Sequence, residues 1–149
     1  MTNETDGTDF LTGTVVLLSD DLMFPSRARE ALRDSGAMLV VVSTEADAVR
    51  AAGAEIPPLV VLVNCAARRY DPFAAIRAIK DASPTVRVVA FAGHVETKNH
   101  ADARASGADA TIANSSVALH LPRLLETWTK AGPTETDPTE TENPDAQNE

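Results

Sequence analysis

A basic surplus, a disulfide framework and a long apolar run are all missing from this sequence. Its 149 residues hold one cysteine, Cys65, so no intrachain disulfide can form. The N-terminus has no basic stretch followed by an apolar one, so a secretory leader is not expected. No apolar run approaches the roughly 18 residues of a membrane span. A reduced, cytoplasmic setting is therefore the expectation. Lys and Arg number 13 against 22 Asp and Glu. The resulting charge of −9 is uneven. Residues 1–12 carry Glu4, Asp6 and Asp9, residues 132–149 carry Glu135, Asp137, Glu140, Glu142, Asp145 and Glu149, and neither stretch has a base. Nine acids thus sit in the tails, and residues 13–131 hold 13 acids and 13 bases. A neutral core offers no electrostatic footprint for nucleic acid, and acidic tails repel phosphates. Neither nucleic acid nor a membrane is expected as a partner.

What is present is a core of 44% hydrophobic residues, long enough for one domain over residues 13–131. The flanks, 1–12 and 132–149, have the Thr, Asp, Glu and Pro composition of disordered tails. Leu59 to Val63 is a run of apolar β-formers entered through Pro57-Pro58 and ended by Asn64. It lacks alternation, so both faces must be covered, as in a central strand of a parallel sheet. Similar runs occupy Thr14–Leu18, Met38–Val42, Val86–Phe91 and Ala110–Ala113. Between them the helical signals recur. Pro25 suits a first turn. Thr44 with Asp47 makes a short capping box, and Asp71-Pro72 places a cap before an N1 proline. The stretch from Glu96 to Ser106 offers only alanines as an apolar face, and Gly107 stops it. Leu121, Leu124, Leu125 and Trp128 line the last helix. Five β-runs alternating with five helical runs predict a doubly wound parallel α/β sheet in the flavodoxin-like order 2-1-3-4-5. In such sheets the chemistry lies at the carboxyl ends of the strands. Asn64 holds the central position there.

Three marks carry a resemblance. They are Ser19-Asp20-Asp21 after the first strand, Pro58 six residues before Asn64, and Gly107-Ala108-Asp109 before the fifth strand. Together they resemble the receiver domain of bacterial response regulators, the CheY-like fold. The resemblance implies an aspartate that accepts a phosphoryl group at the end of the third strand. It implies two acids after the first strand that help hold Mg²⁺, a Ser or Thr ending the fourth, a Lys ending the fifth, and an aromatic switch residue in the fifth. This chain departs at most of these positions. The acceptor position is Asn64, an uncharged amide. The acid pair is Ser19 and Asp20, with Asp21 just outside. The hydroxyl position is Ala92, the lysine position is Asn114 followed by Ser115, and the switch position is Thr111. The chain thus resembles an atypical receiver, a pseudo-receiver of two-component signal transduction. No cofactor is expected, and Asp20 and Asp21 are weak metal candidates at most.

Several residues admit two readings. Asn64 either caps a strand end or fixes one state of a lost switch. Arg68, Arg69 and Tyr70 form either a solvated loop or a basic-aromatic contact for an acidic partner. Thr111 and Trp128 lie in elements that receivers use for dimer or output contacts, and Trp128 equally suits a core anchor. Cys65, His94 and Asp20 all follow strand ends, so a Cys-dependent enzyme is conceivable, although no elbow motif or oxyanion donor accompanies them. The leading expectation is a stand-alone, non-enzymatic, phosphorylation-independent signalling module that binds a protein partner, another signalling protein or itself. The alternative is a small-molecule or nucleotide sensor using the strand-end pocket, though no Gly-rich loop follows the first strand.

Overall fold

The structure, a computed structural model, describes residues 12–131. The expected tails lie outside the described residues, Thr12 apart. The elements run β1 (Gly13–Leu18), α1 (Met23–Ala31), β2 (Ala37–Val42), α2 (Glu45–Ala52), β3 (Val60–Asn64), α3 (Pro72–Ala82), β4 (Val88–Ala92), α4 (Thr97–Ala105), β5 (Ala110–Ala113) and α5 (Asn114–Ala131). All strand pairs are parallel, and the sheet order is β2-β1-β3-β4-β5. This is the predicted 2-1-3-4-5 order.

The absence of alternation in β3 has the expected cause. Every residue from Val60 to Asn64 is buried. One face of the sheet sends Leu17, Leu62 and Phe91 against Ala28 of α1 and Leu121, Leu125 and Trp128 of α5. The other sends Leu18, Val61 and Ala90 against Ala48 of α2, Ile76 and Ile79 of α3 and Ala103 of α4. At about 1.5–3 kcal/mol for each large apolar side chain removed from water, these two layers dominate the stability of the domain.

Local signals act where the sequence puts them. The Thr44 side chain accepts from the Asp47 backbone N–H at 3.1 Å. Asp71 Oδ1 accepts from the N–H groups of Phe73 and Ala74 at 3.0 and 3.2 Å. Helix α4 buries only Ala103 completely, in keeping with its alanine face. It ends in a Schellman pattern, with Ala108 N–H reaching Ala103 O and Gly107 at φ +113°. Asp109 then ties the start of β4. Its Oδ2 accepts from Val88 N–H at 2.8 Å and from Lys80 Nζ at 2.9 Å. The Gly-Ala-Asp mark is therefore a joint between α4, β4 and α3.

One expectation needs correction. The run Met38–Val42 lacks alternation, as a buried strand does, yet β2 is an edge strand with Met38, Val40 and Val41 exposed. Its place in the sheet, rather than its composition, decides its burial. β5 ends at Ala113 as expected, and Asn114, next in the chain, opens the 18-residue helix α5.

Candidate functional site

The carboxyl edge of the sheet gathers the β1–α1 turn, the end of β3 and the loop that follows it. Parallel pairing puts Leu18 beside Val63 and Asn64 beside Phe91. Ser19, Asn64 and Asp20 thus meet at one place.

Asn64 is 2% exposed, and both ends of its amide are used. Its Nδ2 donates to Ser19 Oγ at 3.1 Å, and its Oδ1 accepts from Ala66 N–H at 2.9 Å. The amide closes the strand end and bridges β3 to the β1–α1 turn. Ser19 Oγ in turn lies 3.4 Å from Asp21 Oδ1. Asp21 Oδ1 accepts from the N–H groups of Met23 and Phe24 at 3.1 Å each, so this carboxylate caps α1.

Asp20 faces the other way. Its Oδ2 accepts from the backbone N–H groups of Arg68 and Arg69, each at 2.8 Å. Desolvation works to raise the Asp20 pKa, but the N–H bonds from Arg69 and Arg68 and the Arg69 charge outweigh it and hold the carboxyl below its ordinary value. The arrangement is an anion bound by its own chain.

The donor set does not fit Mg²⁺. That ion takes octahedral oxygen ligands, usually with carboxylates among them. Here one carboxylate oxygen holds two loop N–H groups, the neighbouring carboxylate caps a helix, and the third position is a neutral amide already bonded at both ends. Among the described residues, no cluster of three His, Cys, Asp or Glu side chains could hold a metal.

Tyr70 has a different role from the one its neighbours suggested. Its ring is half-buried, and its hydroxyl lies 2.9 Å from Leu18 O and 2.8 Å from Asn64 O. It clasps the ends of β1 and β3. Burial, then the nearby Asp20, Cys65 and Asp21, push its pKa up. Arg68 and Arg69 remain exposed on the loop that Asp20 holds. Of the proposed basic-aromatic cluster, the two arginines are exposed and Tyr70 is half-buried. The sequence did contain a cue to the clasp. Tyr70 is the one tyrosine of the chain, six residues past the end of β3, within reach of both strand ends.

The remaining candidates are spread out. Ala92 is buried at the end of β4. Asn114 stands at the end of β5, and its Oδ1 is buried with no partner among the described residues. Thr111 is 5% exposed and Trp128 1%. Neither is an accessible contact residue, which corrects their place in an interaction surface; Trp128 is a core anchor of α5. Cys65 is buried, and desolvation pushes its thiol up to about 12, so it is protonated at neutral pH. His94 is exposed, and the Asp20 carboxylate is occupied by the loop.

Comparison with known proteins places this geometry. No protein-family model matches the chain, and no curated protein matches it. Solved structures do. A two-component response regulator of the LuxR family from Aurantimonas is 19% identical, with a TM-score of 0.70 over 93% of this chain and 99% of that one. The receiver domain of a sensor histidine kinase from Pseudomonas aeruginosa, solved with magnesium in its active-site cleft, is 20% identical, with a TM-score of 0.69 over 80% and 98%. The receiver domain of a histidine kinase from Syntrophus aciditrophicus is 16% identical, with a TM-score of 0.67 over 80% and 91%. The chain has the fold of these receiver domains.

Proposed function

We propose that this chain is a receiver-like signalling module that binds a protein partner without aspartyl phosphorylation. One observation carries the reading: the amide of Asn64, at the strand-three end, is bonded to Ser19 and Ala66 while Asp20 is bonded to the following loop. Phosphoryl transfer to a carboxylate needs a nucleophilic oxygen, a cation and donors aimed at the developing charge. The nucleophile position is an amide, the acids are committed to backbone N–H groups, and Ala92 and Asn114 supply no hydroxyl or ammonium. Among the described residues, the side chains at this edge offer no activated nucleophile, in line with a non-enzymatic module. The protonated, buried thiol of Cys65 speaks against the Cys-dependent reading. A reducing, cytoplasmic setting accords with the single unpaired thiol. No helix among the described residues is long and apolar enough to cross a membrane.

The test is incubation with a small-molecule phosphodonor and Mg²⁺, followed by intact-mass measurement. No phosphoryl adduct is the expected result, and a stoichiometric adduct refutes the reading. The sensor alternative has one observation in its favour, the buried and unpartnered Asn114 Oδ1 at the strand-end edge. A ligand that donates a hydrogen bond there would raise the unfolding temperature. An unchanged midpoint across nucleotides and common metabolites counts against sensing.

A further inference from the structure

The amino edge of the sheet, opposite the Asn64 end, holds an open cavity of about 230 Å³. Pro57, Pro58 and Leu59 line it on the approach to β3, Val86 on the approach to β4, and Trp128 from the far end of α5. Two features of its wall are unfinished. The Trp128 side chain is buried, yet its indole N–H has no acceptor among the described residues. Ile56, next to Pro57 in the chain, is 82% exposed, so the rim leaves a large apolar side chain in water.

The chain enters β1 at the same wall. Leu59 N–H donates to Thr14 O at 2.8 Å. Gly13 has φ +142°, and a Cβ there would lie 3.0 Å from Leu59 Cγ. Backbone this close to a side chain, in a conformation that L residues rarely adopt, needs glycine. The point from which residues 1–11 depart is thus fixed against Leu59, itself part of the cavity. Phe10 stands three residues before Gly13, so its tether spans at most roughly 10 Å. Outside the described residues Phe10 is the one aromatic, and Met1 and Leu11 are the other large apolar residues.

We propose that Phe10 seats in this cavity, so that the segment before β1 closes the amino edge of the sheet. A cavity of roughly 150 Å³ takes a benzene ring, and this one is larger. The backbone carbonyls of the segment offer the Trp128 indole the acceptor it lacks, and an unpaired buried donor is costly to leave so. Leu11 offers apolar surface to the rim that Ile56 leaves exposed. A separate ligand has to compete with a side chain on a three-residue tether, whose effective concentration is millimolar. The chain's own segment is therefore the favoured occupant. This proposal does not depend on the state of the Asn64 end.

The test uses the full chain, in which Trp128 is the single tryptophan and gives one indole N–H resonance. In the wild type, nuclear Overhauser contacts are expected from the Phe10 ring to the Leu59 methyls and to the Trp128 indole. Phe10→Ala changes a residue outside the described fold, so the domain still folds. Ordering the segment offsets part of the gain from burying the ring, and the variant is expected to lower the unfolding midpoint by about 3 °C or more and to shift the indole N–H resonance. A Phe10 ring without those contacts overturns the proposal and leaves the cavity to a separate ligand. An unchanged midpoint in the variant overturns it as well. Contacts found only between differently labelled copies overturn it too, by seating Phe10 of one copy on another.

Discussion

Replacing Asn64 by aspartate restores the residue type a phosphorylated receiver would carry, and the structure says what that should do. The side chain is 2% exposed. The acceptor toward Ala66 N–H survives the change. The Nδ2 donor to Ser19 becomes an oxygen, and the Ser19 hydroxyl can turn to donate to it, giving up its 3.4 Å contact with Asp21. Lost hydrogen bonding is then below about 1 kcal/mol. Charge is the larger effect. The new carboxylate is buried, shares the sheet edge with Asp20 and Asp21, and has Asn114 where an ammonium would stand. Burial and like charge both raise its pKa. A rise of one to two units over the unfolded value corresponds to about 1.5–3 kcal/mol of destabilisation at pH 7, or roughly 5–10 °C in the unfolding midpoint of a domain this size. Its pH dependence has a definite sign. Below the unfolded carboxylate value of about 4 both states are protonated and the penalty vanishes. It grows as pH rises and levels off above the raised folded value. Wild type has the opposite limb from Asp20, whose lowered pKa stabilises the fold above the unfolded value and ceases to as pH falls. Both proteins share that limb, so the difference between them isolates position 64. Urea unfolding of both proteins from pH 4 to pH 8, with and without Mg²⁺, measures it. Equal stability at pH 7 refutes the reasoning. So does a selective Mg²⁺ stabilisation of the variant beyond about 1 kcal/mol, because the edge would then be assembling the cation site we say it lacks.

Two further substitutions test the same edge from other sides. Tyr70→Phe deletes one hydroxyl proton shared between Leu18 O and Asn64 O. The cost should be about 1–1.5 kcal/mol, a fall of roughly 3–6 °C, and an unchanged midpoint would mean the clasp does not bind the strand ends together. Burial raises the Cys65 pKa from 9.0 to about 12. The stability this contributes is complete below pH 9 and declines as pH rises toward 12, with Tyr70 adding to the loss in alkali. Cys65→Ala should flatten that alkaline limb, and the native thiol should react with maleimide far more slowly than the unfolded chain does. Equal rates would contradict the burial on which both statements rest.

The sequence disclosed the scaffold more fully than the edge. Uninterrupted apolar runs, spaced by capping signals at Thr44 and Asp71, were sufficient for the sheet order because parallel strands with right-handed crossovers leave few alternatives. Asn64 was legible for the same reason, as the first polar residue after a buried strand. The bonds that define its surroundings were not. Asp20 meets the N–H groups of Arg68 and Arg69 from 48 and 49 residues away, and no local pattern encodes a carboxylate reaching a loop backbone. Tyr70 sits beside two arginines, so composition suggests a solvated cluster, whereas its hydroxyl reaches the carbonyls of Leu18 and Asn64. Met38–Val42 misled in the opposite direction. Apolar content signals burial only when something lies on both sides, and an edge strand supplies one neighbour.

Those long-range bonds also bear on how a signalling module of this kind could act. A phosphorylation switch works through loops at the carboxyl edge that have two arrangements, one favoured when the added charge is present. Here the loop after β3 is held at three points: Ala66 N–H by Asn64, the Arg68 and Arg69 N–H groups by Asp20, and Tyr70 by the two strand-end carbonyls. With net values near 0.5–1.5 kcal/mol for neutral bonds and about 1.5–3 for those to a charged group, releasing the loop costs several kcal/mol. A second arrangement would then be populated well below one per cent, at 1.4 kcal/mol per factor of ten. On the proposed reading the module therefore presents one constant surface. What can vary is how much of the chain is present and with what it is associated.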